Sequence, residues 1–382
     1  MPQRGTLGSQ PVFVSLGMLV LDEVRFPHYE TLYDNPGGSG FYATFGARLL
    51  KSSPSSKSIG SIIVAGNDFP QSALDLLKSW DLTLLIHQIP DKPSTRGLLE
   101  YEDDLFGRKN FRYLTQPLPP SPLYLKNSPL LKVASIHTLA TPEDLQTQLS
   151  FLLQLRQEIG IKERPLIVWE PSPLGCDKVH LPAHLEACAL VDVVSPNHLE
   201  LGYLLTGKHS GPDPGLLTST SASLDKALIE SQARKFLDVG IGPERQGIVV
   251  VRCGEHGVLN LLANGRAEWL PAYYENGNGD GNRNSSGNSS GASKVFDPTG
   301  AGNTFLGAFT VALEEIGDPF EASLRGSVAA SFAVEQFGPA QLTPSGNRSE
   351  NGDELELERW NGVDVYARLE ELRMRVLKAA GS

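Results

Sequence analysis

The sequence predicts an α/β fold, a doubly wound, mainly parallel sheet flanked by helices. Three observations predict it. From residue 132 onward, short apolar runs alternate with stretches of helical apolar spacing, the order that a parallel sheet with crossover helices requires. Residues 12–21 (VFVSLGMLVL) form a nearly continuous apolar run, as a strand covered on both faces does. Residues 298–302 make a Pro-Thr-Gly-Ala-Gly turn that feeds a helical stretch. Backbone N–H groups left unpaired at such a helix start converge on one point, and the helix dipole adds positive charge there, so the turn is a cradle for anions such as phosphate. It is neither a P-loop, since no Gly-Lys-Ser/Thr follows, nor a dinucleotide fingerprint.

Composition narrows the class of partner. The chain has 382 residues, 40% of them hydrophobic, enough for a sizeable core in one large domain or two smaller ones. Its formal charge of -11, with no basic stripe, speaks against nucleic acid and against an anionic membrane as partners. Three cysteines, Cys176, Cys188 and Cys253, show no Cys-x-x-Cys spacing, so neither a disulfide framework nor a zinc site is expected. The first ten residues are polar and lack an apolar signal core, and no apolar run reaches the ~18 residues that span a bilayer. A cytoplasmic protein is the expectation.

In chain order, the run at residues 12–21 ends at Asp22, which places a carboxylate near the C-terminal end of a central strand, where open α/β sheets bind ligands. Gly37 and Gly38 then open a helix to about residue 50. Residues 61–65 read as a strand and 71–80 as a helix. Residues 82–88, 95–101 and 109–114 have strand character, with Asp103, Asp104, Arg108 and Lys109 forming a solvated hairpin tip. Next come a strand at 132–137, a helix at 142–159 and strands at 166–169 and 191–195. A helix starts after Asn197, where Asn197 and Glu200 share one face at i,i+3 spacing. A helix at 223–239 precedes strands at 247–251, 258–262 and 268–274. Residues 275–294 are low-complexity and cannot bury enough surface to offset their ordering entropy, so they read as a disordered insertion. Val295 and Phe296 read as the end of a strand. Helices are expected at 303–316, 319–337 and, after a flexible loop at 341–360, within the C-terminal stretch 361–382. Asn303 suits an N-cap, because its side-chain oxygen accepts from the first helical turn.

The stretch Asp297-Pro298-Thr299-Gly300-Ala301-Gly302-Asn303 resembles the Asp-x-Thr-Gly-Ala-Gly-Asp signature of the PfkB/ribokinase family of sugar and nucleoside kinases. The resemblance continues, in family order, over residues 12–340. It implies a ribokinase-like fold with a small β-lid, its strands at about 23–34 and 82–115, and ATP and Mg²⁺ as cofactors. It also implies roles residue by residue. Gly300, Ala301 and Gly302 form the anion hole, and Asn303 stands where the family has its general base. Asp22 binds paired hydroxyls of a small-molecule substrate, with Gly37, Gly38 and Tyr42 around it. Tyr42 replaces a small amide of the family's pattern. Asn197 and Glu200 match an Asn-x-x-Glu motif that organises Mg²⁺ and phosphate through water. Cys253, Gly254 and Gly257 fall in a turn beside the nucleotide, together with Thr299 and Ala330. Where relatives carry Asp-x-Asn, this chain has Glu170 and Ser172.

An amide cannot accept a proton at neutral pH, so the departure at Asn303 falls on the atom that the chemistry needs most. An Asn at this position also resembles a fungal subgroup related to a yeast factor for killer-virus maintenance. The expectations are therefore a kinase weakened at its base, or a catalytically silent relative that binds nucleotide or ligand as a regulatory or scaffolding protein. A non-kinase activity on the same scaffold ranks last. Pairing of two subunits through the lid stays open.

Overall fold

The computed structural model describes residues 10–102, 109–207, 224–274, 294–343 and 358–380. The strands are β1 Phe13–Ser15, β2 Val20–Arg25, β3 Leu32–Gly37, β4 Ile59–Gly66, β5 Thr83–Ile89, β6 Arg96–Tyr101, β7 Lys109–Tyr113, β8 Ser135–Ala140, β9 Leu166–Pro171, β10 Val193–Val194, β11 Ile248–Arg252, β12 Val258–Leu261, β13 Ala267–Leu270, β14 Leu342–Thr343 and β15 Arg359–Trp360. The α-helices are α1 Ser39–Leu49, α2 Gln71–Ser79, α3 Pro142–Glu158, α4 Leu181–Ala187, α5 His198–Thr206, α6 Lys226–Asp238, α7 Ala301–Ile316, α8 Pro319–Ala333 and α9 Val365–Ala380.

Nine strands make one sheet in the order β13-β12-β11-β10-β9-β8-β1-β4-β5. It is parallel from β11 to β5, and β12 and β13 add an antiparallel edge. Its inner strands are buried on both faces, so neighbouring residues point to opposite cores. Phe13, Val168, Val193 and Val250 join the core under α1, α7 and α8, with Phe45, Phe309 and Phe332. Val14, Trp169, Val194 and Val251 join the core under α3, α5 and α6, with Leu152, Leu201 and Phe236. This double burial is why the strands read as unbroken apolar runs. Helices α1 and α7 pack backbone to backbone: a Cβ at Gly307 would strike the Ala43 carbonyl, and one at Gly46 the Thr304 carbonyl. That contact fixes the start of α7 against the start of α1.

A second sheet, β3-β2-β6-β7, stands apart in the position of the expected lid. It is mixed: β2 pairs antiparallel with β3 and parallel with β6, and β6 pairs antiparallel with β7.

Several expectations need correction. The apolar run at residues 12–21 is not one strand. It breaks after Ser15, where the Gly17 N–H donates to Ser15 Oγ at 3.0 Å, and the chain leaves the large sheet to enter β2. Asp22 therefore lies on the small sheet, not on a central strand. Strand β5, expected in the lid, pairs with β4 along the large sheet from Gly60↔Thr83 to Gly66↔Ile89. Val295 and Phe296 belong to no strand. The Phe296 and Asp297 N–H groups both donate to the Val334 carbonyl at the end of α8, at 2.6 and 3.1 Å. Helix α4 had no counterpart in the sequence reading. The expected insertion at 275–294, all but its last residue, lies outside the described residues. So do Asp103, Asp104 and Arg108 of the expected hairpin tip and most of the loop at 341–360.

Candidate active site

Helix α7 begins two residues earlier than its sequence suggests, at Ala301. Gly300 is its N-cap, in the left-handed region at φ 78°, which a side chain would make costly. The first bond inside the helix runs from the Thr304 N–H to the Gly300 carbonyl at 2.9 Å. Helix geometry leaves the Gly302 and Asn303 N–H groups pointing out of the helix end. Asn303 is then the third helical residue and not the cap, and its side chain is free for another task. Its Nδ2 donates to Glu170 Oε2, at the end of β9.

Glu170 belongs to a buried charged cluster along the strand ends. Its Oε1 pairs with Arg252 Nη1 at 2.8 Å, and its Oε2 lies 3.5 Å from His137 Nε2. His137 Nδ1 is hydrogen-bonded to Ser15 Oγ at 3.0 Å. Arg252 also donates to the Ser195 carbonyl at 2.9 Å and faces Glu200 Oε2 at 3.6 Å. Burial alone would raise the Glu170 pKa, but Arg252 and His137 outweigh it and hold the carboxyl below its usual range. Glu200 goes the other way, raised by burial against Arg252, with Glu170 adding repulsion. Arg252 lies against the cradle itself, where a Cβ at Gly302 would strike its Nη1.

Asn197 and Glu200 form a complete capping box on α5. Asn197 Oδ1 accepts from the Leu199 and Glu200 N–H groups at 2.9 and 2.8 Å, and Glu200 Oε2 accepts from the Asn197 N–H at 2.7 Å. The capping bond and the Arg252 contact of the Glu200 carboxylate both fall on Oε2, so Oε1 is the oxygen that the water shell of a Mg²⁺ ion would meet. Among the described residues no group of three or more His, Cys, Asp or Glu side chains could hold a metal directly. Asn197 and Glu200 offer oxygen donors that would hold a Mg²⁺ ion through its water shell.

On the other side of the turn, Asp297 holds Thr299 and the small sheet together. Its Oδ1 accepts from Tyr101 OH at 2.8 Å, from the Thr299 N–H at 3.0 Å and from Thr299 Oγ1 at 2.6 Å. Lys109 Nζ stands 3.3 Å from the same oxygen and donates to Thr299 Oγ1. Lys109 is 4% exposed, so it is no hairpin-tip residue. It begins β7 facing inward, and burial lowers its pKa against the pull of Asp297. Asp22, 5% exposed, has no hydrogen-bond partner at Oδ1. Burial pushes it up to about 7, with Lys109 opposing and Asp297 assisting. Gly37 ends β3 against this carboxylate, and Gly38 caps α1.

The remaining candidates are placed less directly. Tyr42 is 3% exposed on α1, and its ring lies where a side chain at Gly300 would be. It covers one end of the cradle. Cys253 is 1% exposed in the core beneath the sheet, so only its backbone could meet a nucleotide; its N–H donates to the Gly257 carbonyl at 2.8 Å and closes the turn through Gly254. Ala330 is half-buried on α8. Sequence reading missed Lys109, Arg252, His137 and Tyr101. A lone His in an apolar strand, and a Lys beside a charged run, carry no motif that would single them out.

Comparison with known sequences and structures bears on the family and the fold. The family model for pfkB family carbohydrate kinases matches residues 30–345. An uncharacterized protein of Schizosaccharomyces pombe is 31% identical over 363 residues, covering 94% of this chain and 92% of that protein. Protein MAK32 of Saccharomyces cerevisiae is 26% identical over 387 residues, covering 97% and 94%. The structure of Arabidopsis thaliana ribokinase, complexed with ribose and ATP, superposes with a TM-score of 0.56 at 17% identity, covering 87% of this chain and 95% of that one. With the family model spanning most of its length, the chain belongs to the pfkB family of carbohydrate kinases.

Proposed function

We propose that the protein is an ATP-dependent kinase that phosphorylates a hydroxyl of a small sugar-like or nucleoside-like substrate, slowed by the amide at Asn303. Asp22 carries this reading. A carboxyl buried to 5% exposure with an unpartnered oxygen calls for hydroxyl ligands, and it shares its electrostatics with Lys109 and Asp297 beside the Gly300 turn. The Gly302 and Asn303 N–H groups then face the transferring phosphoryl group, and the Arg252 guanidinium stands at their side. Mg²⁺ on the nucleotide phosphates would neutralise charge there, its water shell within reach of Glu200 and Asn197. Phosphoryl transfer is mostly positioning and charge stabilisation, and losing a general base costs about 10²–10⁴-fold in rate, so a slow kinase survives the change at Asn303.

One observation favours a second reading. Tyr42 lies on Gly300 and Arg252 on Gly302, so two of the three cradle residues are already covered by side chains. A silent family member that binds nucleotide or ligand as a regulatory or scaffolding protein fits that crowding. ADP formation from Mg·ATP, measured against a panel of pentoses, hexoses and nucleosides, separates the two. The kinase reading expects substrate-dependent ADP release. Calorimetric binding of Mg·ATP with no ADP release for any compound would replace it with the silent reading.

A further inference from the structure

The contact between Asn303 and Glu170 changes what the missing base means. A side chain at the base position does reach a carboxylate, which comes from β9 and not from α7. Glu170 is 4% exposed. Arg252 on β11 takes its Oε1, while Oε2 is shared between Asn303 on α7 and His137 on β8. Glu200 on α5 faces the cluster across Arg252, and the Cys176 thiol interacts with Glu200, Glu170 and Arg252. We propose that Glu170 is the catalytic carboxylate of this site, with Asn303 as the positioning residue that presents the substrate hydroxyl to it. The inference rests on the kinase reading above.

The step balances. The substrate O–H bond breaks and its proton goes to Glu170 Oε2. The substrate oxygen forms a bond to the γ-phosphorus of ATP, and the bond from that phosphorus to the bridging oxygen breaks, releasing ADP with the electron pair. Arg252 and His137 keep Glu170 ionised before the step, and the proton later leaves to solvent.

Two carboxylates within hydrogen-bonding distance cannot both ionise, and one of them keeps a proton. An aspartate at 303 would share one proton with Glu170, so the pair would carry one ionised carboxylate, as the wild type does, and would gain no base. In this chain the two positions hold one carboxylate, Glu170 on β9, and one amide, Asn303 on α7.

Four proteins test this: the wild type, Glu170→Gln, Asn303→Asp, and the double variant Glu170→Gln/Asn303→Asp. ADP formation from Mg·ATP with the sugar and nucleoside panel is followed from pH 5 to 9. Glu170→Gln is expected to lose about 10²–10⁴-fold in turnover, together with the acid limb of its pH profile. Asn303→Asp alone gains nothing, and the double variant returns to within about tenfold of wild type. Wild-type turnover that survives Glu170→Gln, or a gain of about tenfold or more from Asn303→Asp alone, overturns the assignment and leaves the kinase reading standing. Silence from all four proteins overturns the kinase reading itself and the base with it. Carboxyl ¹³C titration of Asn303→Asp needs no substrate and no foldable Glu170 variant. A coupled pair with one pKa displaced upward supports the contact, and two independent, ordinary titrations overturn it.

Discussion

Two buried clusters flank the Gly300 turn, each with carboxylates around a single cation, and they are balanced differently. Towards the small sheet, Lys109 serves Asp297 and leaves the Asp22 carboxyl raised to about 7 with one oxygen unpartnered. Along the strand ends, Arg252 reaches Glu170, Glu200 and the Ser195 carbonyl together and holds Glu170 in its charged form. Burial outweighs Lys109 at Asp22 and Arg252 at Glu200, whereas Arg252 and His137 together outweigh it at Glu170. A guanidinium is a rigid fork of donors that can serve two carboxylates, whereas an ammonium is a compact point charge. One cluster is thus poised for uncharged hydrogen-bonding ligands such as hydroxyls. The other keeps fixed charge beside the place where phosphate charge would develop.

The comparison breaks most sharply at Arg252. Arg252→Met takes from the buried Glu170 and Glu200 the guanidinium that faces both and leaves His137 beside Glu170 alone, and removing one partner of a buried pair costs about 3–5 kcal/mol. A urea titration should show a loss of that size at pH 7. It should shrink as the pH falls and both carboxyls take up protons. A loss below ~1 kcal/mol would mean that the pair behaves like a surface salt bridge.

The small-sheet cluster is tested through its pH dependence. Asp22 has a folded-state pKa of about 7, above its unfolded value. Its protonated form therefore stabilises the fold fully below pH ~4, and this contribution is lost as the pH rises through 7. A displacement of this size corresponds to a differential on the order of 4 kcal/mol. Asp22→Asn keeps the shape and removes the ionisation, so its stability relative to wild type should climb between pH 4 and 7 and level off above. A flat difference across that window would show that Asp22 ionises freely. Lys109→Met sharpens the same point. Asp297 keeps its three bonds from Tyr101 and Thr299, so the loss should stay at about 1–3 kcal/mol, below that of Arg252→Met. With Lys109 gone, the Asp22 midpoint should move higher still.

How far the sequence could see divides along the same line. Double burial of the parallel strands left apolar runs, and the glycine turn marked the start of α7, so the large sheet and the cradle were legible. Asp22 was visible as a candidate but assigned to the wrong sheet, because the apolar residues on both sides of Gly17 hide the break between β1 and β2. Lys109 follows a charged, turn-prone run and looks solvated; its burial comes from the pairing of β7 with β6 and from Asp297, almost 190 residues away. Ser15, His137, Glu170 and Arg252 sit on four different strands, and only the sheet order brings them together. Asn303 was read as a cap on propensity. Gly300, in a conformation that few other residues tolerate, took the cap and released the amide.

The smallest effect concerns Asn197, where a structural role and a metal-side role make different demands. Its Oδ1 already accepts two N–H groups at the start of α5, and losing such a cap costs about 1 kcal/mol. Asn197→Ala should lower stability by roughly that much, while Asn197→Asp, which keeps an accepting oxygen and adds charge at the helix N-terminus, should be near neutral. If the cap is all that Asn197 does, neither variant weakens Mg·ATP binding. If its Nδ2 also donates to a phosphate oxygen, both variants weaken Mg·ATP binding, and Asn197→Asp does so without a stability loss. The aspartate therefore separates the two roles, because only there does the ligand-side effect appear while the helix remains capped.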